Sequence, residues 1–310
     1  MSKSGQTSDA VSAAPSEENR QLQGLAGALG AFTLWGVFPL YFKMVDYVPV
    51  LEIMANRIIW SLVLVILILA FTGRLKTLKK TALNKRSLVW FTATTLLIGV
   101  NWITFVWAVT SDMVLEASLG YYINPLVNVM LGMLFLGERL NKAQGLAIGL
   151  AVVAVLLLTI RLGVVPWVSL VLAFSFGFYG LLRKKIPTES TVGLAMETGI
   201  LTPICLVYVG YLAFTGTGGA GGGFYDTQTN LLLAGLGFVT AIPLILFSFG
   251  AQRLRLSTVG LLQYIAPTIQ VFLAIYVFGE TFTQDRFIAF GLIWVGLIIY
   301  TWDGIRNRKA

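Results

Sequence analysis

Histidine is absent from the 310-residue sequence, and cysteine occurs once, at Cys205. Without histidine the chain lacks the commonest metal ligand in proteins and the side chain that most easily exchanges protons at neutral pH. A single cysteine also excludes an intrachain disulfide. Zinc sites built from cysteine and histidine are therefore excluded, and so are catalytic triads that need a histidine base.

Charged residues are scarce too, at 12%, against an apolar content of 57% and a mean hydropathy of +0.82. A soluble domain usually carries about a quarter charged residues, because it needs them to cover its surface in water. The sequence therefore predicts a membrane protein. The net charge of +8 does not indicate a nucleic-acid partner, because the 22 Lys and Arg lie between hydrophobic runs, where they set membrane topology.

Ten apolar runs follow one another along the chain, each near the length that a tilted helix needs to cross about 30 Å of hydrocarbon. Their predicted bounds are 22–42, 52–71, 88–109, 116–136, 145–160, 166–182, 192–214, 230–251, 258–278 and 287–303. Residues 1–21 and 305–310 are expected to form tails. The first of these is expected to be disordered, because it contains no apolar run with which to pack.

Basic residues are distributed unevenly between the predicted loops. With the N-terminus in the cytoplasm, 18 of the 22 Lys and Arg lie in cytoplasmic segments, three lie outside and Arg57 lies within a span. The positive-inside rule predicts this bias, and the opposite orientation would violate it at nearly every loop. We therefore expect both termini to be cytoplasmic.

The sequence repeats itself at a spacing of 142 residues. In this register, residues 119–150 match residues 261–292 at 11 of 32 positions, including a shared Tyr-Ile-x-Pro and Gly-Glu. Chance would give roughly three identities in segments of this biased composition. The sequence therefore predicts two five-helix repeats, over residues 22–160 and 161–304.

An odd number of spans in each repeat means that the two halves cross the membrane in opposite directions. The loops agree, since residues 73–87 carry six Lys and Arg and the matching residues 215–229 carry none. The predicted fold is an all-α polytopic membrane protein with ten transmembrane helices in two inverted repeats. This architecture is typical of secondary transporters, in which two similar halves expose a midplane site to each side in turn.

A motif in the fourth span carries a family resemblance. Residues 116–128 read Glu-Ala-Ser-Leu-Gly-Tyr-Tyr-Ile-Asn-Pro-Leu-Val-Asn, and Phe-Leu-Gly-Glu-Arg follows at 135–139. Together with Asn56-Arg57-Ile-Ile-Trp-Ser61 and Asn101-Trp102, this motif resembles the RarD branch of the EamA-type drug/metabolite transporters. The resemblance covers essentially the whole membrane region. It implies a ten-helix, two-repeat permease of the bacterial inner membrane. Members of the wider family resemble exporters of amino acids and other metabolites, and the RarD name is associated with chloramphenicol, but the resemblance implies no substrate for this chain.

Ionisable side chains inside apolar spans are unfavourable unless they face a cavity or one another. Arg57 is the strongest candidate, as a group that binds a substrate carboxylate. The alternatives are an anchor at the outer interface and an ion pair with Glu52 or Glu116.

Span four also carries a polar stripe, in which Glu116, Gly120, Asn124 and Asn128 recur every four residues on one helical face. This stripe predicts one wall of a substrate cavity, and interhelical hydrogen bonding is the alternative. The candidate substrate-binding residues are Arg57, Asn101, Trp102, Glu116, Tyr121, Tyr122, Asn124, Asn128, Gln263 and Gln270.

Transport coupled to protons would need a buried carboxylate, because the chain has no histidine. Glu116 is the first candidate for this coupling site and Glu197 is the second. The glycine-rich run at 216–223 lacks the Lys-Ser/Thr of a phosphate-binding loop, so ATP hydrolysis by that route is not expected. We expect no cofactor and no metal.

The leading functional hypothesis is a monomeric secondary transporter that exports small metabolites such as amino acids by alternating access. A drug-efflux permease is the nearest alternative, and a non-transporting membrane scaffold is a remote one. An enzyme is not expected, since no span holds a nucleophile with a base or a paired-carboxylate motif.

Overall fold

The computed structural model describes residues 17–136, 141–184, 186–218, 225–251, 253–254 and 262–306. These residues form helices joined by short connections, and none of them lies in a strand. The helices are α1 (Glu17–Lys43), α2 (Val50–Phe71), α3 (Leu75–Ala82), α4 (Lys85–Thr110), α5 (Val114–Leu136), α6 (Lys142–Leu162), α7 (Trp167–Lys184), α8 (Ser190–Thr215), α9 (Thr227–Ala251), α10 (Ile265–Phe272), which continues as a π-helical turn over Leu273–Val277, and α11 (Gln284–Arg306).

Eight helices of the described chain are long and apolar enough to cross a membrane, namely α1, α2, α4, α5, α6, α8, α9 and α11. Two further apolar helices are shorter, over Trp167–Arg183 and Ile265–Val277, and they occupy the positions of the predicted sixth and ninth spans. The first residues of the predicted ninth span lie outside the described residues. The all-helical architecture and repeated apolar helices are those of a polytopic membrane protein.

Two helical segments differ from the expectation. Helix α1 begins at Glu17, so residues 17–21 are helical and are not part of a disordered tail; two acidic residues at its start interact favourably with the helix dipole. The remaining tail residues lie outside the described part. Helix α3 lies in the basic segment that we expected to be a loop. Its Leu75, Leu78 and Ala82 share one face while its lysines point elsewhere, which is the pattern of a helix at the membrane surface.

Helix packing follows the 142-residue register. Helix α1 packs against α9 and α10, while α7, the counterpart of α1, packs against α4 and α5, the counterparts of α9 and α10. Helix α2 packs against its own counterpart α8, and α6 packs against its own counterpart α11. Each main helix pair therefore has a matching pair formed by the counterpart helices.

Candidate functional site

Arg57 is the eighth residue of α2 and is 4% exposed. Its Nε donates a hydrogen bond of 2.9 Å to Oγ1 of Thr240 in α9. Its Cζ lies 4.6 Å from the ring centroid of Trp102 and 5.6 Å from that of Phe42. Within the described part of the chain it forms no ion pair, and its Nη1 has no hydrogen-bond partner. A buried cation is therefore held by ring faces and one hydroxyl, with a donor left unfilled.

Neither of the alternative partners expected for Arg57 pairs with it. Glu52 instead has the Tyr225 side chain as a neighbour. The charged neighbour of Glu116 is Arg286. The burial of Arg57 also differs from that of an interfacial anchor, whose guanidinium would reach into water.

Of the predicted site residues Asn101, Trp102 and Tyr121, the first contacts Tyr121, and the other two lie close to Arg57. Tyr121 is its ionisable neighbour, and the Tyr121 hydroxyl lies 3.5 Å from Oδ1 of Asn101. The Asn101 amide donates to the carbonyl of Leu172 at 3.1 Å and to Oγ of Ser175 at 3.0 Å. Trp102 and Tyr121 thus form walls around the guanidinium, whereas the Asn101 amide ties α4 to α7.

Asn124 and Asn128, the last two residues of the polar stripe, also take part in contacts between helices. Asn124 is fully buried and donates to the carbonyl of Ala173 in α7 at 2.9 Å. Asn128 is exposed, and its amide donates to Oδ1 of Asn124 at 3.1 Å. These contacts agree with the interhelical alternative. A role of either amide in substrate binding stays a prediction.

The remaining predicted site residues, Tyr122, Gln263 and Gln270, lie around α10. The hydroxyls of Tyr122 and Thr268 are 2.6 Å apart. Gln270 is 2% exposed, and its Nε2 donates at 3.1 Å to the carbonyl of Trp35. That carbonyl is free because Pro39, four residues later in α1, has no N–H to donate. Oε1 of Gln270 has no partner among the described residues, and Gln263 is half-buried just before α10.

Glu197 is the eighth residue of α8 and is 1% exposed. Its carboxylate accepts hydrogen bonds from the hydroxyls of Thr94 at 2.9 Å and Tyr179 at 3.2 Å. Nε of Arg183 lies 3.8 Å away, and the Arg183 guanidinium stands over the ring of Phe91. A second buried charged cluster therefore joins α4, α7 and α8.

Glu116 belongs to neither cluster. It is half-buried near the start of α5 and lines a cavity of about 80 Å³ together with Arg286 of α11. Glu116 therefore lies apart from Arg57, because the first residues of α5 face α7 and α11. Its role in substrate binding stays a prediction.

Several polar contact residues were missed by the sequence-based prediction, among them Thr240, Arg183 and Arg286. Thr240 carries a hydroxyl within an apolar span, which is a weak signal shared by many structural threonines. Arg183 and Arg286 were counted as loop charges. A buried Glu197 needs a cation in the same half of the membrane, and that requirement was the available signal for Arg183. Among the described residues, no group of three His, Cys, Asp or Glu side chains is placed to hold a metal.

Comparison with known proteins agrees with this architecture. Residues 22–160 match the EamA-like transporter family. A crystal structure of a protein 21% identical in sequence shares the fold with a TM-score of 0.56, covering 94% of this chain and 99% of its own.

Several relatives align over nearly the whole chain. An uncharacterized transporter of Vibrio cholerae is 44% identical over 93% of this chain and 95% of its own. Protein RarD of Escherichia coli is 42% identical over 93% and 96%. The chloramphenicol-sensitive protein RarD of Pseudomonas aeruginosa is 28% identical over 92% and 95%. The chain belongs to the EamA-like transporter family, as a permease of the RarD type.

Proposed function

We propose that the protein exports small zwitterionic metabolites such as amino acids across the bacterial inner membrane. The observation that carries this proposal is the Arg57 guanidinium, which is buried, has no described carboxylate partner and keeps Nη1 unfilled. A buried charge without a partner is strongly unfavourable. A substrate carboxylate would supply both the missing charge and an acceptor for the free N–H group.

The surroundings of Arg57 suit a solute with an apolar part. Trp102 and Phe42 present ring faces to the guanidinium, and Tyr121 lies beside it. These rings would cover an aliphatic or aromatic side chain while the carboxylate meets Arg57. The nearest alternative remains efflux of drugs, since the aromatic wall also fits an apolar ring and one relative is named chloramphenicol-sensitive. A non-transporting scaffold is the remote alternative.

Alternating access between two inverted repeats is the proposed mechanism, with repeat bounds of 22–160 and 161–304 and both termini in the cytoplasm. The exchange of helix pairs in the 142-residue register supports it. In this orientation Arg57 is about 10 Å from the outer end of α2 and Glu197 is about 10 Å from the inner end of α8, taking 1.5 Å per residue. Arg57 and Glu197 therefore lie on opposite sides of the midplane about which the two repeats would move. One chain contains both sites, so we propose a monomer.

Coupling to protons is proposed at Glu197, with Glu116 as the alternative. Glu197 is fully buried and is surrounded by two hydroxyl donors and one cation, so gain or loss of a proton would change a network that joins three helices. Glu116 is only half-buried and faces a cavity. Burial therefore favours Glu197, in the reverse order of the sequence-based preference.

Uptake into proteoliposomes tests the proposed substrate class. The purified protein is compared with Arg57→Ala and Arg57→Lys using a panel of labelled amino acids and labelled chloramphenicol. Arg161→Ala is the matched control, because that side chain is 68% exposed. A hydrogen bond to a charged group contributes about 1.5–3 kcal/mol, so we expect Arg57→Ala to lose roughly 10- to 150-fold in apparent affinity.

Arg57→Lys keeps the positive charge but loses the planar guanidinium. Its apparent affinity should therefore lie between that of the native protein and that of Arg57→Ala. Unchanged amino-acid uptake by Arg57→Ala would contradict the proposal. Uptake of chloramphenicol without that of any amino acid would favour the drug-efflux alternative.

A further inference from the structure

The cavity beside Glu116 is separate from the Arg57 site. It lies where the start of α5, the connection between α6 and α7, and the start of α11 meet, and its volume is about 80 Å³. Glu116 and Arg286 are the charged residues in its lining. The rest of the lining is apolar and includes Leu158, Trp167 and Phe290. An apolar cavity with two opposite charges has the composition of a site for a small polar solute.

The two charges do not neutralise each other directly. Arg286 is the charged neighbour of Glu116, yet the two side chains form no ion pair with each other. Neither of them forms an ion pair with another described residue. Nη1 of Arg286 donates to the carbonyl of Thr281 at 3.0 Å, and Glu280 is a further charged neighbour. A gap therefore separates a carboxylate and a guanidinium that face one cavity.

We propose that this cavity binds a zwitterionic group, with an ammonium on Glu116 and a carboxylate or phosphate on Arg286. A lone anion would be repelled by Glu116 and a lone cation by Arg286, whereas a zwitterion satisfies both. The cavity is small, at about 80 Å³. It therefore holds a small charged head, and a longer side chain or lipid tail would extend beyond Trp167 and Phe290.

Two sources supply this chemistry. One is a free amino acid, in which case the cavity is an outer station for the exported solute and rests on the function proposed above. The other is the headgroup of phosphatidylethanolamine, which carries an ammonium and a phosphate. Binding at the cavity does not require transport, so the two proposals can fail independently.

Equilibrium binding of labelled glycine to the full-length protein in lipid-free detergent tests the site. The Arg57→Ala background removes the first proposed site. In that background we expect glycine binding to fall at least about tenfold with Glu116→Gln or with Arg286→Gln, since each loses one charge-assisted contact. The control Arg86→Gln removes an exposed positive charge in the first turn of α4 and should bind as the background does. Acetate and methylammonium, which each carry one charge, should compete poorly with glycine.

A charge-exchanged variant separates loss of binding from loss of folding. Glu116→Arg combined with Arg286→Glu keeps both charges in the cavity and should recover part of the binding lost by either single change. Native mass spectrometry of protein from nanodiscs containing phosphatidylethanolamine supplies the lipid comparison.

The headgroup is identified as the occupant if less of this lipid is retained by Glu116→Gln and by Arg286→Gln, and if the protein does not bind glycine. The proposal is overturned if glycine binds equally well to the single variants and their background. It is also overturned if the single variants change neither glycine binding nor retention of phosphatidylethanolamine. If glycine binds here while no amino acid is transported, the site stands and the proposed function fails.

Discussion

A Cβ atom on Gly120 would lie 2.7 Å from the main-chain oxygen of Ser169. Gly120 belongs to α5 and Ser169 to the first turn of α7, and these two helices are in extensive contact. The Ser169 hydroxyl also donates to the carbonyl of Glu116 at 2.7 Å, one turn before Gly120. Glycine in the polar stripe therefore permits close backbone approach, as small residues do in membrane helix pairs.

Gly120→Ala is expected to destabilise the protein by about 1–3 kcal/mol, because the added methyl group meets a backbone oxygen that cannot move independently of α7. The measurement is the apparent Tm in detergent. Gly149→Ala in α6 is the matched control, since no described atom lies within 4 Å of the Cβ position there. The control should be neutral or gain about 0.5–1 kcal/mol in helix stability. Equal apparent Tm values for both variants would contradict the steric explanation.

Glu197→Gln should abolish the dependence of uptake on a pH gradient, while exchange of internal for external substrate continues. The amide retains an acceptor for Thr94 or Tyr179 but does not titrate. Glu116→Gln should retain the response to the gradient. Both are measured as substrate accumulation in proteoliposomes with and without an imposed pH difference. The reverse result, with dependence lost only in Glu116→Gln, would restore Glu116 as the coupling site.

Cysteine labelling tests the inverted orientation of the repeats. In a Cys205→Ala background, Lys80→Cys and Thr217→Cys each introduce an exposed thiol, at positions that follow the second span of the first and second repeat. A membrane-impermeant maleimide added to intact spheroplasts should label Thr217→Cys, and it should label Lys80→Cys only after permeabilisation. Labelling of both from the same side would mean that the repeats are parallel.

Glu280 ties the start of α5 to a part of the chain more than 160 residues away. From the loop after α10, its carboxylate accepts hydrogen bonds from the main-chain N–H groups of Val114 at 2.6 Å and Leu115 at 3.1 Å. Burial raises the pKa of Glu280 above its usual 4.5, against the lowering effect of these two bonds. The folded protein therefore holds this proton more tightly than the unfolded chain. The resulting stability is fully present below about pH 4.5 and is lost as pH rises through the raised pKa.

Glu280→Gln should remove this contribution to the pH dependence. We expect the difference in apparent Tm between the native protein and the variant to shift in favour of the native protein as pH falls from 7 toward 4.5. Subtracting the variant cancels the titration of all other groups. A difference that stays constant over this range, or changes in the opposite direction, would contradict the raised pKa.

The helices were predicted well because hydropathy and length are local properties. Most predicted bounds lie within three residues of the observed helix ends, as for 52–71 against Val50–Phe71. Helix α3 was missed because its basic residues dominated the pattern, although its leucines recur at helical spacing. The early start of α1 was missed because a helix can continue into water beyond the hydrocarbon that hydropathy detects.

The site was predicted less completely because its contacts are not local. The burial of Arg57 followed from a charge within an apolar run, but Thr240 lies 183 residues away, and no local pattern relates the two. Asn124 shows the same outcome. Its position on the stripe was predicted, whereas the carbonyl of Ala173 that it meets depends on how α5 and α7 pack. Residue type predicts a need for a partner, and helix packing decides which partner is available.

The hydrogen bond from Gln270 to the Trp35 carbonyl makes the residues at positions 39 and 270 depend on each other during evolution. That carbonyl needs an outside donor only while Pro39 occupies α1. A residue with an N–H group in place of Pro39 restores the bond within α1, so that the Trp35 carbonyl no longer depends on an amide at position 270. A lineage that first loses Gln270 leaves a buried oxygen without its donor. Among related proteins, substitutions at positions 39 and 270 should therefore be correlated.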